Sequence, residues 1–196
     1  MYKNVFIMGP GRVGKTSLAN LLNKKYGYSI ISIDDIVSGF EAYPELKIHH
    51  DGDAIDTAKR LAPFLIKNLS ELTEGRLFNS GMKFVIEGTD IDFEELISNI
   101  NMDKYLLIGL TYNDRTKEDM FNIIRKYDTE DDWSYYLDDN KLREYCDFYM
   151  DINKFFNEKF KEYNIKTFDT SKDREKVLKQ ALKYIEENAY GKKDTN

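Results

Sequence analysis

The feature that most constrains this chain is a glycine-rich stretch near its start, Gly9-Pro10-Gly11-Arg12-Val13-Gly14-Lys15-Thr16, with the pattern G-x-x-x-x-G-K-T. The apolar run before it, residues 5–8, is typical of a buried strand, and leucines at helical spacing follow it. Glycines allow a tight turn in which successive backbone N–H groups point at one anion. The start of the helix adds partial positive charge there. The stretch therefore predicts a phosphate-binding loop between a strand and a helix.

The same residues also satisfy Gly9-x-Gly11-x-x-Gly14, the pattern of a dinucleotide-binding turn, and Asp34 follows at about the distance which that turn requires. A dinucleotide turn has no need of Lys15 and Thr16, however. In a triphosphate site the lysine reaches the outer phosphates and the threonine hydroxyl ligates Mg²⁺. We therefore favour a triphosphate. The residues expected to contact it are Gly9, Gly11, Arg12, Val13, Gly14, Lys15, Thr16 and Ser17.

Composition limits the class of protein. The 196 residues are 41% hydrophobic and 33% charged, with a net charge of −6 and no basic stripe, which argues against a nucleic-acid duplex as partner. No apolar run is long enough for a membrane span, and the chain enters its first strand with no room for a signal peptide. The single cysteine, Cys146, lies on an apolar helical stripe and fits a buried thiol in a reducing compartment. We expect a cytoplasmic protein with one domain, residues 1–190, and a disordered tail, residues 191–196.

Apolar strand patterns alternate with helical patterns along the chain. The expected strands are residues 4–8, 28–33, 84–87, 105–110 and 165–168. Such alternation predicts an α/β fold, a five-stranded parallel sheet with helices on both faces. Right-handed crossovers bring the carboxyl ends of all strands to one edge. The glycine-rich loop, Asp34, Asp35, Glu87 and the residues after the fifth strand should meet there.

Two further groups of residues could bind a metal. Glu87 ends the third strand, where a carboxylate beside a phosphate loop can hold Mg²⁺ through water; the alternative is a carboxylate that caps the next turn. The run His49-His50-Asp51-x-Asp53 suggests a metal site at first sight. Adjacent side chains diverge in most backbones, so a solvated loop is the preferred interpretation of that run.

By these motifs and the order of its elements over residues 1–188, the chain resembles the nucleoside-monophosphate-kinase-like family of P-loop NTPases. That family includes adenylate kinase, shikimate kinase, gluconate kinase and chloramphenicol phosphotransferase. The resemblance implies phosphoryl transfer from ATP with Mg²⁺, and a strand ending in an acid and a glycine, as Glu87-Gly88 does. It also implies a lid at residues 126–140, with Arg125 before it as a catalytic residue and Arg143 after it as a nucleotide contact. The loop containing Asp169, Thr170 and Ser171 would touch the adenine. Arg125 could instead be a solvated surface charge.

The chain departs from this family after the second strand, where adenylate-kinase-type enzymes carry an arginine that binds the acceptor's phosphate. Asp34 and Asp35 stand there instead. We therefore predict a hydroxyl acceptor, oriented or deprotonated by Asp34, with Asp35 as a candidate for the metal. The alternative for Asp34 is that it caps the following helix or holds Mg²⁺ through water. The acceptor would lie between Asp34, Glu87 and residues 40–76. One alternative is a nucleoside or nucleoside-monophosphate kinase, in which Arg60 or Arg76 would hold the phosphate of a monophosphate acceptor. An alternative of another class is a nucleotide-dependent NTPase or switch protein.

Overall fold

The structure is a computed structural model that describes residues 2–51, 53–130 and 132–190. Its five strands are β1 (Asn4–Met8), β2 (Ser29–Ser32), β3 (Phe84–Gly88), β4 (Tyr105–Thr111) and β5 (Lys166–Asp169). Its helices are α1 (Lys15–Tyr26), α2 (Ile33–Phe40), α3 (Ala54–Glu74), α4 (Arg76–Asn79), α5 (Phe93–Asn99), α6 (Lys117–Tyr127), α7 (Asp139–Glu162) and α8 (Arg174–Ala189). Two short 3₁₀ helices cover Pro44–Leu46 and Trp133–Tyr136.

All strand pairs are parallel, in the order β2-β3-β1-β4-β5. The central strand is β1, whose Ile7 lies opposite Glu87 on one side and Ile108 on the other. The glycine-rich loop therefore leaves the middle of the sheet, between the carboxyl ends of β3 and β4. The prediction of a five-stranded parallel sheet is confirmed.

The sheet is covered on both faces, which explains why its central strands are continuously apolar. Along β1, Val5 and Ile7 face one core and Phe6 and Met8 face the other, and all four are fully buried. The first core is completed mainly by side chains of α1, α6 and α8, and the second by side chains of α2, α3 and α5. The long helix α7 contributes Cys146 to the first core and Phe156 to the second.

The structure corrects the end of the second strand. The expected strand 28–33 stops at Ser32, whose hydroxyl accepts a hydrogen bond from the Asp35 backbone and starts α2. Asp34 and Asp35 thus lie in the first turn of a helix and not at a strand end. The side chain of Ile33, the first residue of α2, is fully buried and packs against Gly88. The sequence pattern missed this change because Ile33 continues the apolar run.

Other expectations concern burial. Cys146 is buried, as predicted, and burial raises the pKa of its thiol. No helix within the described ranges is both long and apolar enough to cross a membrane. The predicted disordered tail, residues 191–196, lies outside the described residues.

Candidate active site

The glycine-rich loop requires its glycines for steric reasons. Gly9 and Gly14 have positive φ angles of 154° and 107°. A Cβ on Gly9 would lie 2.3 Å from the Leu110 carbonyl oxygen, and one on Gly11 would lie 2.5 Å from Cε1 of Tyr149. Other residues would force the loop away from β4 and α7. Gly14 then starts α1 directly, so the first amides of this helix face the cavity above the loop.

Lys15 lies under the loop and is only 7% exposed. Its Nζ donates to the Pro10 carbonyl at 2.9 Å and to Thr89 Oγ1 at 3.1 Å. Burial lowers the pKa of Lys15, while the carboxylates of Asp34, Glu87 and Asp90 act against that shift. The ammonium is therefore held by neutral acceptors, which a phosphate oxygen can replace.

A hydroxyl and a carboxylate meet beside the loop. The Thr16 hydroxyl donates to Glu87 Oε1 at 3.1 Å, and Glu87 is 3% exposed. Burial raises the pKa of Glu87; Lys15 and the Thr16 hydrogen bond lower it, and Asp34 raises it further. Oxygen ligands in a desolvated site favour a hard divalent cation, so this pair fits the predicted Mg²⁺ site. Asp34 borders the adjacent cavity, whereas Asp35 does not.

A cavity of about 400 Å³, here called the phosphate cavity, opens above the loop. Its charged lining residues are Arg12, Lys15, Arg174, Asp34, Glu87, Asp128 and Asp132. Arg174 belongs to no motif recognised in the sequence, and its Nη2 donates to Ser17 Oγ at 2.7 Å. A Cβ on Gly14 would lie 2.9 Å from its Nε. Its position in the first turn of the helix after the fifth strand was the available signal, because that strand also ends at this edge.

Residues 126–140, which were expected to form a lid and are here called the lid segment, contact the glycine-rich loop through their described residues. Arg12, in a left-handed conformation with φ 63°, places Nη1 3.0 Å from Asp128 Oδ1 and 2.9 Å from Asp132 Oδ1. The Ser134 hydroxyl accepts from Arg12 and donates to Asp128. The Asp128 side chain is 3% exposed. One residue of the phosphate loop thus carries most of the polar contact with the lid segment.

Two arginines expected at the nucleotide lie elsewhere. Arg125 Nη2 donates to the Leu137 carbonyl at 2.6 Å and to Asp139 Oδ1 at 2.7 Å. Arg143 pairs with Glu118, and its guanidinium lies 3.9 Å from the centre of the Phe121 ring. Neither arginine borders the phosphate cavity. In this structure Arg125 joins the end of α6 to the lid segment, and Arg143 joins α6 to α7.

Of the three residues expected at the adenine, Thr170 and Ser171 also form other contacts. Thr170 is fully buried, and its hydroxyl donates to the Thr111 carbonyl at 3.0 Å. Ser171 Oγ accepts from the Asp114 backbone at 2.9 Å. Both hold the loop after β5 against the end of β4, and neither borders the phosphate cavity.

A second cavity of about 560 Å³, here called the aromatic cavity, adjoins the first. The two cavities share Gly11, Asp34, Trp133 and Tyr149. The other lining residues of the aromatic cavity are Ser38, His49, His50, Asp51, Ala54, Thr89, Asp90, Tyr145, Phe148 and Ile152. Part of the region expected at the acceptor therefore does border the aromatic cavity, namely Asp34, His49, His50, Asp51 and Ala54. Glu87, also expected there, borders only the phosphate cavity, and Arg60 and Arg76 border neither.

Asp90 is the main functional candidate that sequence reasoning missed. It follows Thr89 just after β3, and burial together with the Asp34 carboxylate raises the pKa of Asp90 to about 6. His50 and Lys15 lower the pKa of Asp90.

The His50 ring lies 3.0 Å from Ser38 Oγ, and the His50 backbone N–H donates to the Glu41 carboxylate at 3.2 Å. His49 and His50 thus line the aromatic cavity. The sequence indicated this location only through their position after the second strand.

The five-stranded parallel sheet, with the glycine-rich loop at the end of its central strand, matches a P-loop kinase fold. Among solved structures, the chain is similar to a gluconokinase from Sinorhizobium meliloti 1021, with a TM-score of 0.61 and 12% identity over 95% of this chain and 93% of that one. It is also similar to a shikimate kinase from Bacteroides thetaiotaomicron, with a TM-score of 0.58 and 15% identity over 95% and 99% of the two chains.

A third similar structure is a shikimate kinase from Acinetobacter baumannii in complex with shikimate, with a TM-score of 0.56 and 15% identity over 97% of each chain. No protein-family model matches the chain, and no curated protein sequence matches it. The structural likenesses establish the fold, and the chemistry has to be argued from the site.

Proposed function

We propose that this protein transfers the γ-phosphoryl group of ATP to a hydroxyl group of a small molecule. The observation that carries the proposal is the junction of the two cavities. Asp34 borders both, beside the phosphate loop, so that a triphosphate in one and an acceptor in the other would meet at this carboxylate. A cytoplasmic location fits the ATP requirement and the single buried cysteine.

The phosphate cavity contains the parts that phosphoryl transfer needs. Lys15, Arg174 and the loop amides are positioned to neutralise phosphate charge, and Thr16 and Glu87 would hold Mg²⁺. Mg²⁺ supplies further neutralisation of the charge that develops on the transferred group. On substrate binding, Lys15 would exchange its contact with Pro10 for a phosphate oxygen.

Asp34 would act on the acceptor. The hydroxyl oxygen forms a bond to the γ-phosphorus while the bond between that phosphorus and the β–γ bridging oxygen breaks, and ADP leaves. Asp34 receives the proton that the hydroxyl gives up. Trp133 and Tyr149 stand beside the same junction and would help to exclude water from it. Arg125 and Arg143 are assigned the structural contacts described above and no contact with substrate.

The test is acceptor-dependent ADP release by the wild-type protein and by Lys15→Ala. We expect the variant to lose at least about 10²-fold in turnover, since a preorganised cation contributes several kcal/mol to the transition state. The matched control is Lys24→Ala, an exposed lysine near the end of the same helix, which should keep wild-type turnover. Near-normal turnover of Lys15→Ala would refute the role of the loop. ADP release that no acceptor stimulates would indicate a nucleotide-dependent switch protein instead.

A further inference from the structure

We propose that the aromatic cavity selects a cationic acceptor, a small hydroxyl compound that carries an amine and a flat apolar group. The inference deepens the proposed function and rests on it. It comes from three properties of the cavity wall: its charge, its rings and the positions of its carboxylates.

The charge of the wall disfavours an anionic acceptor. Asp34, Asp51 and Asp90 border the aromatic cavity, and its described lining residues include no lysine and no arginine. Within the described ranges, none of these three carboxylates forms an ion pair. A sugar acid or a nucleoside monophosphate would meet carboxylates where it needs arginine forks.

The nearest lysines do not change this conclusion. Lys15 is held by Pro10 and Thr89 and borders the phosphate cavity, where it would face the triphosphate. Lys141 borders a neighbouring outer cavity that Asp51 also lines, but its ammonium group pairs with Glu144 at 2.9 Å. His50 and Lys15 lower the pKa of Asp90, but within the described ranges neither forms an ion pair with it. A cation in direct contact with Asp51 and Asp90 would therefore have to come from the ligand.

The rings supply an apolar wall that also favours a cation. The cavity is bordered by four rings, those of Trp133, Tyr145, Phe148 and Tyr149. The rings of Trp133 and Tyr145 meet edge to face, with their centroids 4.7 Å apart. Trp133 is 52% exposed and Phe148 is 43% exposed. Large exposed rings that converge on one cavity mark a binding surface. Their faces attract cations and accommodate flat apolar groups.

The carboxylates also separate the two ends of such a ligand. Asp34 borders both cavities, whereas Asp51 and Asp90 border the aromatic cavity and not the phosphate cavity. A hydroxyl beside Asp34 would face the phosphate cavity. An ammonium group would then lie at Asp51 and Asp90, away from the transferred phosphoryl group.

The experiment uses three ligands that share one hydroxyl scaffold and differ in charge: 2-amino-1-phenylethanol, its N-acetyl derivative and mandelate. Ethanolamine, which lacks the ring, is the fourth. Calorimetry or ligand-observed NMR measures their binding to the full chain with a non-hydrolysable ATP analogue and Mg²⁺. ADP release with ATP is measured in parallel. We expect the amine with the ring to bind at least about tenfold more tightly than each of the others.

Asp90→Asn should reduce the affinity for this amine by about tenfold while leaving the affinity for the N-acetyl compound unchanged. Asp51→Asn is the second variant, in case the first does not fold. The matched control is Asp103→Asn, an exposed aspartate just before β4 at the other edge of the sheet. Equal or tighter binding of the neutral or anionic compound, no detectable binding of the amine, or full affinity in a folded Asp90→Asn protein would overturn the inference.

The readouts separate this inference from the function on which it rests. If an anionic acceptor is phosphorylated efficiently, the selectivity is refuted and the kinase proposal stands. If the amine binds with the expected dependence on Asp90 but no compound stimulates ADP release, the kinase proposal fails and the cavity's preference for cations stands.

Discussion

Replacing Arg12 by alanine should release the lid segment from the phosphate loop. The arginine is the only residue of the loop with ion pairs to the described part of this segment, through Asp128 and Asp132. Its guanidinium also donates to Ser134. The substitution removes these contacts together while the loop's glycines and Lys15 stay in place.

The magnitude follows from the burial of the partners. Asp132 has a side chain that is 32% exposed, so its pair with Arg12 should contribute about 0.2–1 kcal/mol. Asp128 is 3% exposed, and leaving a buried carboxylate unpaired costs about 3–5 kcal/mol. That figure is an upper bound, because the arginine is 25% exposed and Ser134 still donates to Asp128. Discounted in this way, the Asp128 contribution is about 2 kcal/mol. With the exposed pair the total is about 2–3 kcal/mol, which corresponds to about a 30- to 140-fold larger opening constant.

Amide hydrogen exchange measures this opening. The reporters are the backbone amides of Asp132, Tyr135 and Leu137, which donate to carbonyls inside the lid segment. Their exchange should accelerate by that factor in nucleotide-free Arg12→Ala, while the amides of β1 keep their protection. Arg60→Ala is the matched control, because Arg60 forms an exposed pair with Asp56 within α3. In the wild-type protein, a non-hydrolysable ATP analogue with Mg²⁺ should increase protection of the same amides.

Unchanged exchange at these three amides in Arg12→Ala would refute the reasoning, since the arginine would then not restrain the lid segment. An equal acceleration in Arg60→Ala would show that the effect is a general loss of stability. Unchanged protection on addition of the nucleotide analogue would mean that the segment is a static element.

Three further predictions concern the site and the sheet. Asp34→Asn should keep ATP affinity, measured by calorimetry, and lower the transfer rate by about 10²-fold or more; full activity would exclude Asp34 as the proton acceptor. Because the pKa of Asp90 is raised in the folded state to about 6, this group favours folding most at low pH, and that contribution is lost as the pH rises from about 4 through 6. Urea unfolding at several pH values from about 4 to 6 should show this decrease in the free energy of unfolding for the wild-type protein and not for Asp90→Asn. The same pH dependence in both proteins would contradict the prediction. Gly88→Ala would place a Cβ 2.4 Å from that of the buried Ile33 and should cost about 1–3 kcal/mol in the free energy of unfolding, whereas Gly39→Ala, with open space around it, should not destabilise; equal stabilities would refute the steric argument.

Local patterns were sufficient to predict the centre of this molecule. The spacing of Gly9, Gly14, Lys15 and Thr16 between an apolar strand and a helix predicted the tight loop and helix start that the structure shows, because both are built from neighbouring residues. The parallel sheet was also predictable, because apolar strand patterns alternate with helical patterns along the chain. The expected meeting of Glu87 with Thr16 followed from the rule that carboxyl ends of parallel strands share one edge.

The tertiary structure decided which distant side chains complete the site. Arg125 and Arg143 have the sequence positions of nucleotide contacts, yet helix packing turns them towards Asp139 and Glu118. Arg174 reaches the phosphate loop because α8 packs beside α1. The aromatic cavity forms where α2, the residues after β3, the start of α3, the lid segment and α7 meet, so that Asp90 and rings from distant parts of the chain line one volume. No local pattern encodes such convergence, since it depends on how whole elements pack against the sheet.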